Sequence, residues 1–357
     1  MKKVISIVIS IIIIVFSSCL IILPKHKFSS NENRYLTQFP SFNIENILNG
    51  KFSEKITSYI SDHFPIREKF LSLKSNVYKH IGIYKQADVY YGNDGALYQE
   101  YKKPLNNEKI VNKINEFNSL VDADISFMLV PTAVYINADK IDKNNLNYDQ
   151  GITLNYFKDN LDVNFIDITS NLFENNDKYL YYKTDHHWTM YGANVAYLEY
   201  CKQNNLNPYE YEYEIVNDSF YGTLYSKVID NSLEYDKIMK IKDNSLYDLY
   251  LVNEDIHLKS LYSEKYLKEK DKYSYYLDGN HGLVQIENLD ISDGTELLII
   301  SKFSRIFFSL IFAPYLIRIL FKNILSFTFI YLALIDKNRR LNIYLFFIIL
   351  QIIYLFL

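Results

Sequence analysis

After Met1-Lys2-Lys3 the chain runs apolar and uncharged from 4 to 24, VISIVISIIIIVFSSCLIILP. That is long enough to cross a bilayer core as one helix. Residues 25–60 are polar and read as a linker leading into a helix around Ile44–Ile60. With Ser61 or Asp62 as cap, apolar Phe70, Leu71, Leu73 and Val77 then recur at helical spacing. ADVYYGNDGALYQE (87–100) alternates around Gly92–Gly95 and reads as two strands joined by a tight turn. Helical periodicity returns over 106–120. The run ISFMLVPTAVYI (125–136) reads as a fully buried strand of a parallel sheet. A helix over 152–161, a short strand VNFIDI (163–168) and a helix starting near Trp188 follow. Beyond a Tyr- and Asp-rich middle, HGLVQIEN (281–288) alternates and TELLII (295–300) is a third buried strand. This succession predicts an α/β domain built on a mostly parallel sheet flanked by helices, behind an N-terminal transmembrane helix.

Charge separates the two ends. The lysines before the apolar run orient it with the start of the chain in the cytoplasm and the main domain outside. A signal peptide would carry a shorter apolar core and a small-residue cleavage site, so the expectation is an uncleaved membrane anchor over 1–24. FSSC, ending at Cys19, faintly resembles a lipoprotein cleavage box. The net charge of −4 gives no reason to expect a nucleic-acid partner. It is unevenly spread: 301–357 hold seven Lys/Arg against Asp336 alone, a balance of +6 that leaves −10 on the rest. This basic, apolar tail has two open readings. One is a membrane hairpin turning at DKNRR, with Arg318 and Lys322 costly in its first span. The other is a C-terminus altered by a shifted reading frame. The expected organisation is thus an anchor (1–24), a linker and leading helix (25–60), a main domain (61–300) and the atypical tail (301–357). Cys201 has no exported partner and is expected to be buried and unbridged.

The candidate chemistry is TDHHWTMYGA (184–193), which holds two of the seven histidines and the only tryptophan. As metal ligands, adjacent histidines on extended backbone diverge, and the i, i+4 helical pattern is absent, so no metal is expected. As an acid–base pair the i, i+2 relation of Asp185 and His187 is better. The carboxylate can hold one imidazole nitrogen and leave the other facing a nucleophile. The bland alternative is a helix start capped by Thr184 or Asp185 with Trp188 as an aromatic anchor.

At this point the chain resembles the DHHW proteins of Gram-positive bacteria, relatives of the alginate O-acetyltransferases with an SGNH-hydrolase-like domain. The resemblance spans roughly 33–300. It rests on SDHFPIRE (61–68), YYGNDGALY (90–98), FMLVPTAVYINADKI (127–141), TDHHWTMYGA, FYGTLYSK (220–227) and DKYSYYLDGNH (271–281). It implies a serine nucleophile activated by His187 and Asp185, with Thr184, His186 and Trp188 supporting, and acetyl transfer to an exported polysaccharide. In this group the Asp-x-His segment precedes the serine, which should follow TELLII in a segment like I-K-D-S-F. Here that segment reads IISKFSRIFFS, leaving Ser304, or alternatively Ser301. The resemblance also implies a membrane-bound acyltransferase as acetyl supplier and a cell-envelope polysaccharide as partner, with no cofactor. An acetyl esterase of the same fold, or a non-catalytic glycan-binding envelope protein, are the alternative functions. His186 is expected to point away from the catalytic face. His63 and Arg67 are expected to make structural contacts, and His281 to lie in a turn.

Overall fold

The computed structural model describes residues 2–121, 123–142, 147–291, 296–302, 318–323 and 343–350. They fall into two units, 1–87 with 223–233, and 88–222 with 234–357.

The first unit begins with helix α1 (Lys2–Ile22), the one helix among the described residues long and apolar enough to cross a membrane. The helix expected around Ile44–Ile60 is two: Ile44–Leu48, then α2 (Lys51–Asp62). They separate at Gly50, whose φ of +80° suits a residue without a Cβ. Helix α3 (Arg67–His80) starts later than Ser61 or Asp62 would place it, without a side-chain cap. The Asp62 carboxylate is occupied elsewhere, accepting from Arg34 at 2.5 Å and from the Thr37 amide at 2.8 Å. The Arg34 guanidinium holds it well below the usual carboxylate range. His63 and Arg67 make the structural contacts expected, to the Thr37 carbonyl (3.0 Å) and to Glu32 (2.9 Å).

In the second unit, β1 (Val89–Tyr91) pairs antiparallel with β2 (Leu97–Gln99) across the loop at Gly92–Ala96. Helix α4 (Asn107–Leu120) turns Val111, Ile114 and Phe117 inward. The long apolar run then divides at Pro131, leaving β3 (Asp124–Val130) as the strand. Because side chains alternate along a strand, Ile125, Phe127 and Leu129 pack with α4, while Met128 and Val130 enter the larger core on the other face. Full burial of each such side chain is worth about 1.5–3 kcal/mol. Helix α5 (Gln150–Asn160), short β4 (Asn164–Phe165) and α6 (Met190–Gln203) follow. Next come β5 (Tyr213–Phe220) and β6 (Asp236–Ile241), an antiparallel pair with two register shifts that ends on Phe220 opposite Asp236.

The remaining strands are β7 (Tyr247–Leu251), β8 (Ile256–Leu258), β9 (Leu283–Asn288), β10 (Glu296–Lys302), β11 (Arg318–Asn323) and β12 (Ile343–Leu350). The main sheet has the order β8-β7-β9-β11-β10-β12-β3-β4. From β11 to β4 it is parallel. Strands β8, β7, β9 and β11 pair antiparallel, so the sheet is mixed: its parallel part, the larger, is continued by an antiparallel part. The four residues between β7 and β8 are too few for the crossover that parallel pairing needs. Within the atypical tail, 318–323 and 343–350 are strands of this sheet, and 303–317, 324–342 and 351–357 lie outside the described residues. Cys19 and Cys201 are both unbridged, and burial pushes the Cys201 thiol up to about 11.

Candidate active site

TDHHW forms the tip of a tight hairpin. Tyr181 and Trp188 face each other as an isolated antiparallel bridge. The Tyr182 amide donates to the His187 carbonyl (3.1 Å), and the Thr189 amide to that of Leu180 (2.8 Å). Trp188 is therefore extended backbone and fully buried, and α6 begins two residues later. Its cap is Thr189, whose hydroxyl accepts from the Tyr191 and Gly192 amides. Neither Thr184 nor Asp185 serves as the cap, because both side chains are committed within the site.

Asp185 is fully buried. Its Oδ1 accepts from the His187 amide at 3.0 Å, closing an Asx turn, and meets His187 Nδ1 at 2.5 Å. Tyr273 donates its hydroxyl to the same oxygen at 3.2 Å. Since a carboxylate only accepts, Nδ1 carries the proton and Nε2 of His187 is the acceptor, with 14% of the side chain reaching solvent. Burial, and then the Asp185 charge, push the Tyr273 hydroxyl well above its ordinary range, so it stays a donor. Its ring also meets that of His187 edge-on at 4.8 Å.

A second buried carboxylate holds the hairpin from beneath. Asp236, at the start of β6, accepts from the Lys183 and Thr184 amides (2.7 Å each), the Thr184 hydroxyl (2.5 Å) and the Tyr179 hydroxyl. Burial outweighs these donors and raises its pKa. Gly222, two residues past β5, donates to Thr184 Oγ1 at 2.9 Å. A Cβ there would sit 2.3 Å from Asp185 Cβ and 2.5 Å from Oδ2. Gly222→Ala is accordingly expected to cost about 1–3 kcal/mol as an overpacking change. Thermal unfolding measures this, and an unchanged midpoint would mean that the backbone yields at 222.

His186 does not point away. The backbone turns at 184–187, so its ring lies 4.0 Å from that of His187 and its Nδ1 lies 3.6 Å from Asp185 Oδ1. The divergence expected of adjacent histidines needs extended backbone, which this tip lacks. Ligand atoms of Asp185, His186 and His187 all lie within 4.8 Å of one another, so these three could hold a metal ion. Ser301 is the penultimate residue of β10, and Ser304 lies outside the described residues. His281 lies just past the positive-φ turn at Gly279, with Nδ1 3.1 Å from Glu254. No local sequence pattern singles out Tyr273, Gly222 or Asp236, although the first two lie in DKYSYYLDGNH and FYGTLYSK.

The hairpin meets the sheet at one edge. Tyr181 donates its hydroxyl to the carbonyl of Pro131, directly after β3, at 2.8 Å. Strands β3, β12 and β10 run parallel, so all three end on this edge.

No functionally curated protein matches the chain. Among solved structures it is similar to a DHHW family protein from Eubacterium siraeum, with 20% identity over 74% of this chain and 92% of that one and a TM-score of 0.61. It is also similar to PatB1 of Bacillus cereus, solved with a sulfonyl adduct, with 18% identity over 74% and 94% and a TM-score of 0.57. The O-acetyltransferase domain of Pseudomonas putida AlgJ is similar at 14% identity over 74% and 91%, with a TM-score of 0.46. The first two likenesses establish a shared fold. The DHHW protein model matches residues 86–325, a span that contains the whole Asp185–His187 hairpin together with Tyr273, Gly222 and Asp236, and the chain belongs to that family.

Proposed function

We propose that this chain is a membrane-anchored, extracytoplasmic O-acetyltransferase that acylates hydroxyls of a cell-envelope polysaccharide through a serine. The observation that carries the reading is the pair itself: a buried carboxylate 2.5 Å from Nδ1 of a mostly buried imidazole whose Nε2 is an acceptor with a narrow opening to solvent. In the proposed reaction the serine hydroxyl attacks the acetyl carbonyl while His187 Nε2 takes its proton. The donor oxygen leaves with that proton, giving acetyl-serine. A sugar hydroxyl then attacks, its proton passes to His187 and on to the serine, and the ester product departs. Asp185 fixes the tautomer and stabilises the imidazolium.

Ser304 is the proposed nucleophile, with Ser301 the alternative. Sheet register supports this edge: Ser301 is level with Ile348 and hence Met128, so β10 ends close to the level at which Tyr181 binds Pro131. The sulfonyl adduct on PatB1 fits covalent chemistry in a protein of this fold. With α1 as the anchor, a membrane-bound acyltransferase would supply acetyl groups from the cytoplasm. One observation favours a second reading, a glycan-binding envelope protein without turnover: IISKFSR lacks the Asp-Ser pair of the family pattern.

Full-length protein in detergent, given 4-nitrophenyl acetate, separates the two readings. The transferase reading expects a stoichiometric burst of nitrophenol and an acetyl group that mass spectrometry finds on the peptide holding Ser301 and Ser304. Folded protein that takes up no acetyl would overturn it in favour of binding.

A further inference from the structure

Helix α3 is inside out. Its buried residues are Ser72 and Ser75, while Phe70, Leu73 and Val77 are exposed. Ser75 donates to the Val228 carbonyl (2.8 Å), Ser72 accepts from the Asn231 amide (3.1 Å), and Lys79 pairs with buried Asp230 (2.6 Å). On the opposite side Ile66, Phe70, Leu73, Val77 and Ile81 follow one another at spacings of four, three, four and four, each 43–64% exposed. At 100° per residue this stripe lies almost diametrically opposite the Ser72–Ser75–Lys79 face. A helix that gives its polar face to the protein leaves its apolar face for another apolar phase.

Two further observations identify that phase. Phe16 of α1 stacks on Phe64, just before α3, with ring centroids 5.0 Å apart, and meets Phe70 at 6.1 Å. Phe16 lies six residues before the end of α1, about 9 Å along a helix. If α1 spans the bilayer, the start of α3 therefore reaches the level of the lipid. Exposed Lys69 and Lys74 flank the stripe on either side, where long cationic side chains can rise to the headgroups. We propose that α3 lies flat in the interface of the membrane that α1 crosses, with Phe70, Leu73 and Val77 in the acyl region. This contact would fix the first unit against the bilayer at a second place, beyond the anchor.

The test uses the full chain in vesicles of phosphatidylethanolamine and phosphatidylglycerol, in a Cys19→Ser background. Cys201 stays, since its buried thiol does not label. Bimane is attached at Leu73→Cys, Val77→Cys and, as a control on the other side, Glu68→Cys. The proposal expects doxyl-labelled lipid to quench positions 73 and 77 about threefold more than 68, and iodide the reverse. Equal iodide quenching at all three would overturn it. Protection from iodide without quenching by doxyl lipid would overturn it too, since protein, such as a second copy, would then cover the face. Hydroxyl-radical footprinting of the unmodified chain is a mutation-free check, because Phe70 and Phe173 are nearly equally exposed in the protein, at 43% and 41%. In vesicles Phe70 should oxidise about threefold more slowly, as a ring seated in the acyl boundary would, and equal rates would overturn the proposal.

Discussion

Asp236→Ala is expected to cost about 3–5 kcal/mol of stability, because it leaves several buried donors without their acceptor. The loss has a definite source. The Lys183 and Thr184 amides, the Thr184 hydroxyl and the Tyr179 hydroxyl all donate to this one carboxylate. Each donor left without an acceptor costs about 1–3 kcal/mol, and relief from holding a buried charge returns part of the sum. In thermal unfolding that corresponds to a midpoint lower by about 10 °C. Asp236→Asn, which keeps the shape and one acceptor oxygen, should lose less. Its pH dependence carries more information than its size. Burial raises the Asp236 pKa above its ordinary value of 3.8. The stability it contributes is therefore greatest below that value and declines as pH rises through the raised one. The gap between wild type and Asp236→Asn should narrow from about pH 4 upward. A midpoint within about 2 °C of wild type for Asp236→Ala would mean the hairpin is held some other way.

What was legible in the sequence was what is local. Asp185 and His187 are two residues apart, and i, i+2 contact follows from turn geometry alone. Strand β3 was visible because a run buried on both faces needs no partner to be recognised. Tyr273 and Asp236 come from 88 and 52 residues away, carried in by a 3₁₀ turn and by an antiparallel pair whose register shifts blur any period. The cap of α6 was misplaced for a related reason. Asp236 takes the Thr184 hydroxyl, and the Tyr181–Trp188 bridge keeps the backbone extended to Thr189. In α3 the period was right, but periodicity does not say which face turns toward the protein. Ser72 and Ser75 look dispensable until the Val228 carbonyl and Asn231 amide they serve are seen.

Asp185→Asn is expected to lower the rate of acetyl-enzyme formation by about 10³–10⁴-fold while leaving the fold intact, on the pattern of the serine-protease triad. The upper figure is about 5.5 kcal/mol of transition-state stabilisation. The carboxylate does two things that an amide cannot. It requires the proton to sit on Nδ1, which keeps Nε2 basic, and it balances the positive charge that His187 gains when the serine gives up its proton. An asparagine can still accept from the His187 amide and the Tyr273 hydroxyl, so the Asx turn persists and the ring stays near its place. It can equally turn its NH₂ toward the ring and stabilise the wrong tautomer. Nitrogen-15 NMR of labelled histidine reads this without turnover. Wild type should show His187 protonated at Nδ1, and Asp185→Asn should show protonation shifting to Nε2. The burst assay gives the kinetic half, with His187→Ala as the companion that removes the base altogether. Acylation that proceeds at the wild-type rate in either variant would end the triad reading, whatever residue proves to carry the acetyl group.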